Sequence, residues 1–325
     1  MNPSPVTRRA ARVLVTGGAG FIGSHLVERL LANGRRVVVI DDLSTGSLEN
    51  LSAVESHPRL RVIQSKISTC TELPELAANA EFIFHLAATV GVELVVRSAL
   101  QVLETSFHET QILLRAAVRN RTPLLLTSTS EVYGKSRKPA FSEDDDLLIG
   151  PPHQPRWSYA SAKLTDEFLA LACAREKGLP VIIVRLFNTV GPRQTGRYGM
   201  VLPRFIAAAK KNKPLKVFGD GRQTRCFCWV NDVVEALVRL QHCEKAHGQI
   251  FNVGSTEEIS ILELASRVVE TLGSKSTIER IPYDRAYAPG FDDMRRRKPM
   301  VKKLERFVKF RPRTTLREII RLTAG

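Results

Sequence analysis

A glycine-rich turn near the amino terminus constrains the fold of this chain more than any other feature. The apolar segment 12–16 has the pattern of a buried strand, and an apolar helical pattern begins directly after the turn. Between them lie Gly17, Gly20 and Gly23. A strand, a glycine turn and a helix form the first half of a βαβ unit, in which the chain crosses over to a parallel neighbouring strand. The turn therefore predicts a parallel α/β sheet.

The same turn predicts a ligand. Backbone N–H groups of such a turn, together with the helix amino terminus, can bind a pyrophosphate that no side chain obstructs. Asp41 ends the next apolar strand and lies roughly 20 residues beyond the turn, where a carboxylate accepts hydrogen bonds from the adenosine ribose. This carboxylate would also repel a 2′-phosphate, so the sequence favours NAD over NADP. Further donors and acceptors for the ribose and phosphate are offered by Asp42, Ser44, Thr45 and Gly46.

The apolar pattern that follows continues to alternate between strands and helices. Predicted strands lie at 37–40, 60–64, 81–86, 124–126 and 181–186, and predicted helices at 98–120 and from Tyr159 to near Gly178. Such alternation indicates an α/β, doubly wound parallel sheet of the Rossmann type. After residue 188 the pattern breaks into shorter elements. We therefore expect an NAD-binding domain at 1–188 that carries the catalytic residues and a smaller substrate-binding domain at 189–325, with chain exchange allowed between the two.

Two short fragments carry groups suited to the oxidation of an alcohol. Thr129, Ser130 and Glu131 follow a predicted strand, at the edge where open α/β sheets bind ligands. Tyr159 and Lys163 are four residues apart on one helix face, so the ammonium would lower the pKa of the phenol. A nearby Thr or Ser hydroxyl could then hold a substrate hydroxyl against the phenolate. In most proteins Tyr-x-x-x-Lys alone is an ordinary helix face, and its weight here comes from the preceding motifs.

Composition and charge limit which partners, which metal or disulfide sites and which cellular location the chain can have. The 325 residues carry a formal net charge of +15, densest near the carboxyl terminus, which suits an anionic substrate, a nucleic acid or an anionic surface. We interpret most of these cations as a solvated basic face and expect no nucleic-acid partner. The five cysteines indicate neither a disulfide framework nor a metal site. Because no apolar run approaches a membrane span and no signal-peptide core precedes Val13, we expect a cytoplasmic protein.

Four motifs, taken in order, resemble those of the extended short-chain dehydrogenase/reductases. They are Thr16–Gly23, Phe84–Ala88, Ser128–Gly134 and the pair Tyr159 and Lys163. More narrowly, the chain is similar to the nucleotide-sugar epimerases, dehydratases and decarboxylases, and three later segments agree: 185–193, 219–225 and 252–254. This resemblance implies tightly held NAD that oxidises a sugar hydroxyl at C4 and later reduces the ketone.

The resemblance assigns roles residue by residue. Tyr159 would be the base, Lys163 would lower its pKa and bind the nicotinamide ribose, and Thr129 would bond the C4 hydroxyl. It adds to the cofactor contacts Phe21, Ile22, Leu86, Ala87 and Ala88. It assigns to the UDP-sugar substrate Asn188, Arg193, Val201, Phe218, Arg225 and Arg297. A guanidinium suits this role because its fixed donors match phosphate and carboxylate oxygens.

The residues after Thr129 distinguish the subgroups of this family. Dehydratases usually carry an acid where this chain has Ser130, whereas Thr-Ser-Glu resembles the UDP-glucuronate decarboxylases, as does Arg297. In that subgroup the arginine faces the active site and the glutamate, here Glu131, handles the proton exchanged at C5. The leading hypothesis is therefore decarboxylation of UDP-glucuronate to UDP-xylose, with Ser130, Glu131 and Arg297 in the catalytic set.

Two alternatives remain open at this point. A 4-epimerase acting on UDP-glucuronate or UDP-glucose would need the same tyrosine, lysine and threonine. A non-catalytic NAD-binding or nucleic-acid-binding protein would suit the basic charge but would need none of Thr129, Tyr159 and Lys163.

The chain also departs from the family pattern at two places. Ser65 and Lys66 replace a Gly-Asp pair that touches adenine, and Ser106 replaces an asparagine in the long helix. Both changes could loosen cofactor binding. The resemblance suggests in addition a homodimer formed through helices 98–120 and 160–177.

Overall fold

A seven-stranded sheet forms the central layer of the molecule. The computed structural model describes residues 12–88, 98–194, 200–282 and 294–325. The sheet consists of β1 Arg12–Thr16, β2 Arg36–Asp41, β3 Leu60–Gln64, β4 Phe82–His85, β5 Leu124–Thr129, β6 Val181–Leu186 and β11 Gln249–Val253. The strand order is β3-β2-β1-β4-β5-β6-β11, and every pairing in it is parallel. The predicted doubly wound Rossmann sheet is confirmed.

Helices cover both faces of this sheet. They are α1 Phe21–Ala32, α2 Leu73–Ala78, α3 Ala99–Asn120, α4 Ser158–Lys177, α5 Val201–Ala209, α6 Val230–Gln241, α7 Ile261–Leu272, α8 Lys302–Val308 and α9 Leu316–Ala324. Side chains alternate across the strands, so Val13 and Val15 contact the cluster under α1 and α6 while Leu14 contacts the cluster under α2, α3 and α4. Burial on both faces explains why the strands read as continuous apolar runs.

Strand β5 is longer than the sequence predicts. The apolar run ends at Leu126, but pairing with β6 continues through Thr129. The extension is possible because polar side chains there have buried partners: Thr127 donates to the carbonyl of His85 and Ser128 donates to Glu167. Thr129 is therefore the last residue of the strand, and a single 3₁₀ turn, Ser130–Tyr133, follows it. Strand rigidity thus extends to the first predicted catalytic residue.

Residues after 188 form small sheets of their own and also contribute to the central sheet. Three small sheets pair β7 Thr189–Val190 with β10 Cys228–Trp229, β8 Leu215–Phe218 with β13 Ile278–Ile281, and β9 Thr224–Cys226 with both β12 Glu258–Ser260 and β14 Arg296–Arg297. Helices α5, α7 and α9 enclose a separate apolar cluster beside them. Strand β11, however, lies at the edge of the central sheet and α6 packs on its face. The chain therefore returns to the central sheet after leaving it at residue 188. The predicted division at that residue allowed for such an exchange between the two domains.

A buried histidine joins the centre of the sheet to α3. The ring of His85 on β4 hydrogen-bonds Thr16 Oγ1 through Nδ1 at 2.7 Å and Thr110 Oγ1 through Nε2 at 3.1 Å. Burial, followed by the positive charge of Lys163, lowers the pKa of His85 from its ordinary value of 6.5 to about 3. The folded protein therefore holds this ring neutral at every pH near neutrality.

This histidine should make stability fall in mild acid. The unfolded chain protonates His85 below 6.5 while the folded chain resists until about 3, so stabilisation present above pH 6.5 is lost as the pH falls through this window. Between pH 7 and pH 5 we expect a loss of about 2 kcal/mol from this residue. Urea unfolding of wild type and His85→Gln at both pH values measures it. An equal loss of stability in the variant would contradict the assignment.

Candidate functional site

A cleft of about 970 Å³ lies at the carboxyl edge of the central sheet, between the glycine turn and the elements that follow residue 188. The predicted site residues that line it are Gly17, Gly20, Phe21, Ile22, Gly23, Asp41, Asp42, Ser44, Thr45, Gly46, Leu86, Ala87, Ala88, Thr129, Glu131, Tyr159, Asn188, Arg193, Val201, Phe218, Arg225 and Arg297. Ser130 and Lys163 are buried behind its wall. The fold therefore brings together groups that lie as far apart in the sequence as Gly17 and Arg297.

The glycine turn is packed too closely against neighbouring backbone for side chains at two of its positions. Gly17 has φ of +73°, and a Cβ atom there would lie 2.6 Å from the backbone nitrogen of Ala87. A Cβ at Gly23 would lie 2.0 Å from the carbonyl oxygen of Gly17. Neither position admits a side chain, and α1 begins directly after Gly20 without a side-chain cap. The first amides of α1 therefore have no acceptor within the helix and suit the pyrophosphate of a dinucleotide.

Asp41 is fixed by the backbone beside this turn. Its Oδ2 accepts from the amide of Ala19 at 2.8 Å and its Oδ1 from the amide of Leu43 at 2.9 Å. Burial raises the pKa of Asp41, and these two hydrogen bonds offset part of that rise. Each carboxylate oxygen keeps a second lone pair, so the side chain can still accept from a ribose hydroxyl. The geometry fits the predicted recognition of NAD.

The tyrosine and threonine predicted to act on the C4 hydroxyl are in contact. Tyr159, on the first turn of α4, hydrogen-bonds the hydroxyl of Thr129 at the end of β5. Burial raises the pKa of this phenol, the charges of Glu131 and Asp166 raise it further, and Arg297 offsets only part. Burial and nearby carboxylates therefore hold the pKa of Tyr159 above its ordinary value in the protein alone, and its lowering by Lys163 stays a prediction.

Lys163 lies in a buried network that the sequence did not reveal. Its Nζ donates to Asp166 Oδ2 at 3.1 Å, and the same oxygen accepts from Ser106 Oγ at 2.9 Å. Asp166 is fully buried and Lys163 is 2% exposed. The replacement of the usual asparagine by Ser106 therefore places a donor on a carboxylate that balances the lysine charge. An acid three residues after Lys163, on the same helix face, was the available sequence signal.

Glu131 is held between two arginines, and the set of Glu131, Arg156, Arg225 and Arg297 is here called the arginine cluster. Arg156 Nη1 donates to Glu131 Oε2, and Arg297 Nη1 donates to Oε1 at 3.3 Å. Burial alone would raise the pKa of Glu131, but Arg156, then Arg297 and Arg225, bring it down to about 2. The same Arg297 donates to Ser130 Oγ at 2.6 Å through Nη2. Glu131 is therefore a carboxylate at neutral pH.

Sequence reasoning missed Arg156. It lies in a 3₁₀ turn, Pro155–Trp157, within the polar, proline-rich segment that separates β5 from α4. The side chain is only 4% exposed, and its guanidinium lies 5.5 Å from the ring centre of Trp157. A cation three residues before Tyr159, at the start of the same helix, would face the same way and was the signal to use.

The residues predicted to bind the nucleotide diphosphate differ in their present contacts. Arg193 donates to Glu28 at 2.5 Å and to Ser24 Oγ at 3.2 Å, so its guanidinium joins the cleft wall to α1. Asn188 donates to the carbonyl of Cys226 at 3.0 Å. Arg225 is buried beside the arginine cluster's carboxylate, as its effect on Glu131 shows. Their contacts to UDP remain predictions.

Two kinds of site do not occur in the part of the chain that the structure describes. No three His, Cys, Asp or Glu side chains there are grouped to hold a metal ion. None of the helices there is both long and apolar enough to cross a membrane.

The Lys163–Asp166 pair should contribute strongly to stability. Removing one partner of a buried pair leaves the other charge without compensation, which costs about 3–5 kcal/mol. We expect Asp166→Ala to lose this much in chemical unfolding at pH 7. The matched control is Glu72→Ala, because Glu72 pairs with Arg61 at 2.7 Å on the surface, where a pair contributes about 1 kcal/mol at most. Equal losses in the two variants would contradict the buried-pair assignment.

Comparison with known proteins agrees with this geometry. Residues 13–254 match the NAD dependent epimerase/dehydratase family. A UDP-N-acetyl-alpha-D-glucosaminuronate decarboxylase of Bacillus cytotoxicus is 42% identical over 93% of this chain and 92% of its own length. UDP-glucuronic acid decarboxylase 1 of Arabidopsis thaliana is 36% identical over 97% of this chain and 69% of its own length.

Solved structures show the same fold. The UDP-glucuronic acid 4-epimerase of Bacillus cereus, in complex with UDP-glucuronic acid and NAD, superposes with a TM-score of 0.86 at 30% identity, covering 96% of this chain and 98% of that one. A dTDP-glucose 4,6-dehydratase of Bacillus anthracis, in complex with NAD, gives 0.84 at 26% identity, covering 97% and 96%. The resemblance predicted from the motifs is confirmed: this chain belongs to the NAD dependent epimerase/dehydratase family, and NAD is its cofactor.

Proposed function

We propose that this protein is a UDP-glucuronate decarboxylase that makes UDP-xylose. The observation that carries the proposal is the arginine cluster, in which three guanidinium groups lower the pKa of one carboxyl group beside Tyr159. Among the described residues of this cluster, cations outnumber anions. A C6 carboxylate on the substrate would complement that excess, and a guanidinium fork can bind it through two hydrogen bonds.

Tyr159 and Thr129 would oxidise the sugar at C4. The Thr129 hydroxyl contacts the phenol of Tyr159, so a C4 hydroxyl placed between them has a donor and a base at hand. When bound, NAD supplies the hydride acceptor and a positively charged ring that favours the phenolate form of this tyrosine. Tyr159 takes the hydroxyl proton as the C4 hydride leaves, and returns it when C4 is reduced.

Loss of CO₂ follows from the new ketone. The C5–C6 bond breaks, its electrons enter the C4 carbonyl, and a proton must then be delivered to C5. Glu131 has a pKa of about 2 while Arg156 and Arg297 both hold it, too low for a proton donor. If Arg297 moves to the substrate carboxylate, Glu131 loses one counter-ion and its pKa rises. Substrate binding would thereby prepare the group that protonates C5.

One other substrate and one other reaction are compatible with parts of the site. The 42% identity to a decarboxylase named for the 2-acetamido sugar supports UDP-N-acetylglucosaminuronate as a second candidate substrate, with the same chemistry at C4 and C5. The 4-epimerase of known structure also binds UDP-glucuronic acid, so a cationic site alone does not separate epimerisation from decarboxylation. The Thr-Ser-Glu sequence and the decarboxylase names of both sequence relatives favour decarboxylation.

The product of the wild-type enzyme decides among them. With UDP-glucuronate in excess, we expect a UDP-pentose lighter than the substrate by the mass of CO₂, measured by mass spectrometry. Parallel assays with the 2-acetamido substrate compare kcat/KM for the two sugars. A product of unchanged mass with C4 inverted would mean an epimerase, and no reaction with either sugar would reject the proposed function.

Variants of the arginine cluster test the residues behind that product. Glu131→Gln should lower CO₂ release by about 10²–10⁴-fold, the usual range for a lost general acid–base group. Arg297→Ala should also lose most activity. Arg296→Ala is the matched control. Arg296 precedes Arg297 directly in the sequence, but its own guanidinium pairs with Glu258 at 2.6 Å outside the cleft. Similar activity in the Arg296 and Arg297 variants would contradict carboxylate binding by Arg297.

We also propose a homodimer formed through α3 and α4. Leu100, Leu103 and Phe107 lie on one face of α3 and are 69%, 40% and 40% exposed, and Phe168 on the neighbouring α4 is 64% exposed. A surface of this kind on two packed helices supports a protein interface. Light scattering should show wild type as a dimer and Leu100→Glu/Phe168→Glu as a monomer. Leu322→Glu, at a residue 49% exposed on α9, should stay dimeric, and a monomeric wild type would reject the proposal.

A further inference from the structure

We infer that Arg156 is a positioning residue, which retains Glu131 so that Arg297 is free to bind the substrate carboxylate. This inference rests on the proposed function, because it takes a carboxylate on the sugar as the ligand of Arg297. Arg156 itself would act through Glu131.

The two arginines contact different oxygens of Glu131. Arg156 bonds Oε2, while Arg297 reaches Oε1 at 3.3 Å, which is long for a charge-assisted hydrogen bond. Arg297 makes its shorter contact, 2.6 Å, with the neutral hydroxyl of Ser130. If Arg297 turns away, the bond between Arg156 and Oε2 is unaffected. The weaker contact is therefore the one that a ligand can replace.

The two arginines also come from different parts of the fold. Arg156 belongs to the turn that starts α4, one turn before Tyr159, and it packs near the ring of Trp157. Arg297 lies on β14, which pairs with β9 in the part of the chain beyond residue 188. The position of Arg156 is thus set by the helix that carries the base. Arg297 can adjust to the sugar without disturbing that helix.

Burial makes a second cation necessary. The side chains of Glu131, Arg156 and Arg297 are 10%, 4% and 11% exposed. A carboxylate this far from water costs several kcal/mol unless a cation stays beside it. Without Arg156, Glu131 would keep Arg225 nearby and Arg297 as a hydrogen-bonded cation, and it would compete with the substrate carboxylate for Arg297. The competition would weaken binding of carboxylated sugars and leave neutral sugars almost unaffected.

Ligand affinity in NAD-loaded protein tests this competition. All variants carry Tyr159→Phe so that UDP-glucuronate is not consumed, and calorimetry compares it with UDP-glucose, which lacks the carboxylate. Arg156→Gln should raise the Kd for UDP-glucuronate by about tenfold, which is 1.4 kcal/mol, and change that for UDP-glucose less than about twofold. Adding Glu131→Gln should restore affinity for UDP-glucuronate, since Arg297 then has no competing anion.

The outcomes separate this inference from the proposed function. A parent protein that binds both sugars equally would reject carboxylate recognition, and with it both proposals. A parent that prefers UDP-glucuronate, but loses affinity for both sugars in parallel in Arg156→Gln, would reject the positioning role alone. Failure of Glu131→Gln to restore affinity would reject it as well.

NAD affinity and thermal melting show whether each variant is folded. Should Arg156→Gln not fold, Arg156→Met removes the charge but keeps an apolar side chain beside Trp157, and an unchanged preference between the sugars would overturn the inference.

Discussion

The site depends on a carboxylate that is buried at the carboxyl edge of a parallel sheet. Glu131 lies in the 3₁₀ turn that follows β5, at the edge of the sheet where the strands end and the cleft begins. Water cannot stabilise its charge there, so arginines from the start of α4 and from β14 do so. Through Arg297 on β14, the part of the chain beyond residue 188 thus contacts the edge of the nucleotide-binding layer.

Further buried pairs hold α4, the helix that carries Tyr159. Glu167 on α4 pairs with Arg185 on β6 at 2.8 Å and accepts from Ser128 on β5. One residue earlier, Asp166 accepts hydrogen bonds from Lys163 and Ser106. These contacts fix α4 against β5, β6 and α3, so the phenol of Tyr159 and the hydroxyl of Thr129 keep their contact. Rigid support of this kind is what proximity catalysis needs. Burial in this packed setting raises the pKa of Tyr159, and the charges of Glu131 and Asp166 raise it further.

Sequence reasoning predicted most of the sheet and the members of the cleft, but not the balance of charge inside it. Helix periodicity placed Tyr159 and Lys163 on one face of α4. It could not show that Asp166 accepts a hydrogen bond from the lysine, or that burial raises the pKa of the phenol. Arg156 was overlooked inside a polar, proline-rich segment, where its burial against Trp157 leaves no trace in composition. The predicted strand β5 was too short for a related reason. Ser128 can be buried in the strand because its hydroxyl donates to Glu167, which lies far along the chain.

The sequence by itself determined the parallel sheet, the glycine turn and the residue types that the fold brings to the cleft. Each follows from local rules: apolar periodicity, backbone freedom at Gly17, and residue types at short spacing. The tertiary structure alone decided which charges meet. Glu131 and Arg297 are 166 positions apart, and Ser106 and Asp166 are 60 apart. Their interaction energy depends on distance and burial, and neither quantity can be read from residue spacing along an unfolded chain.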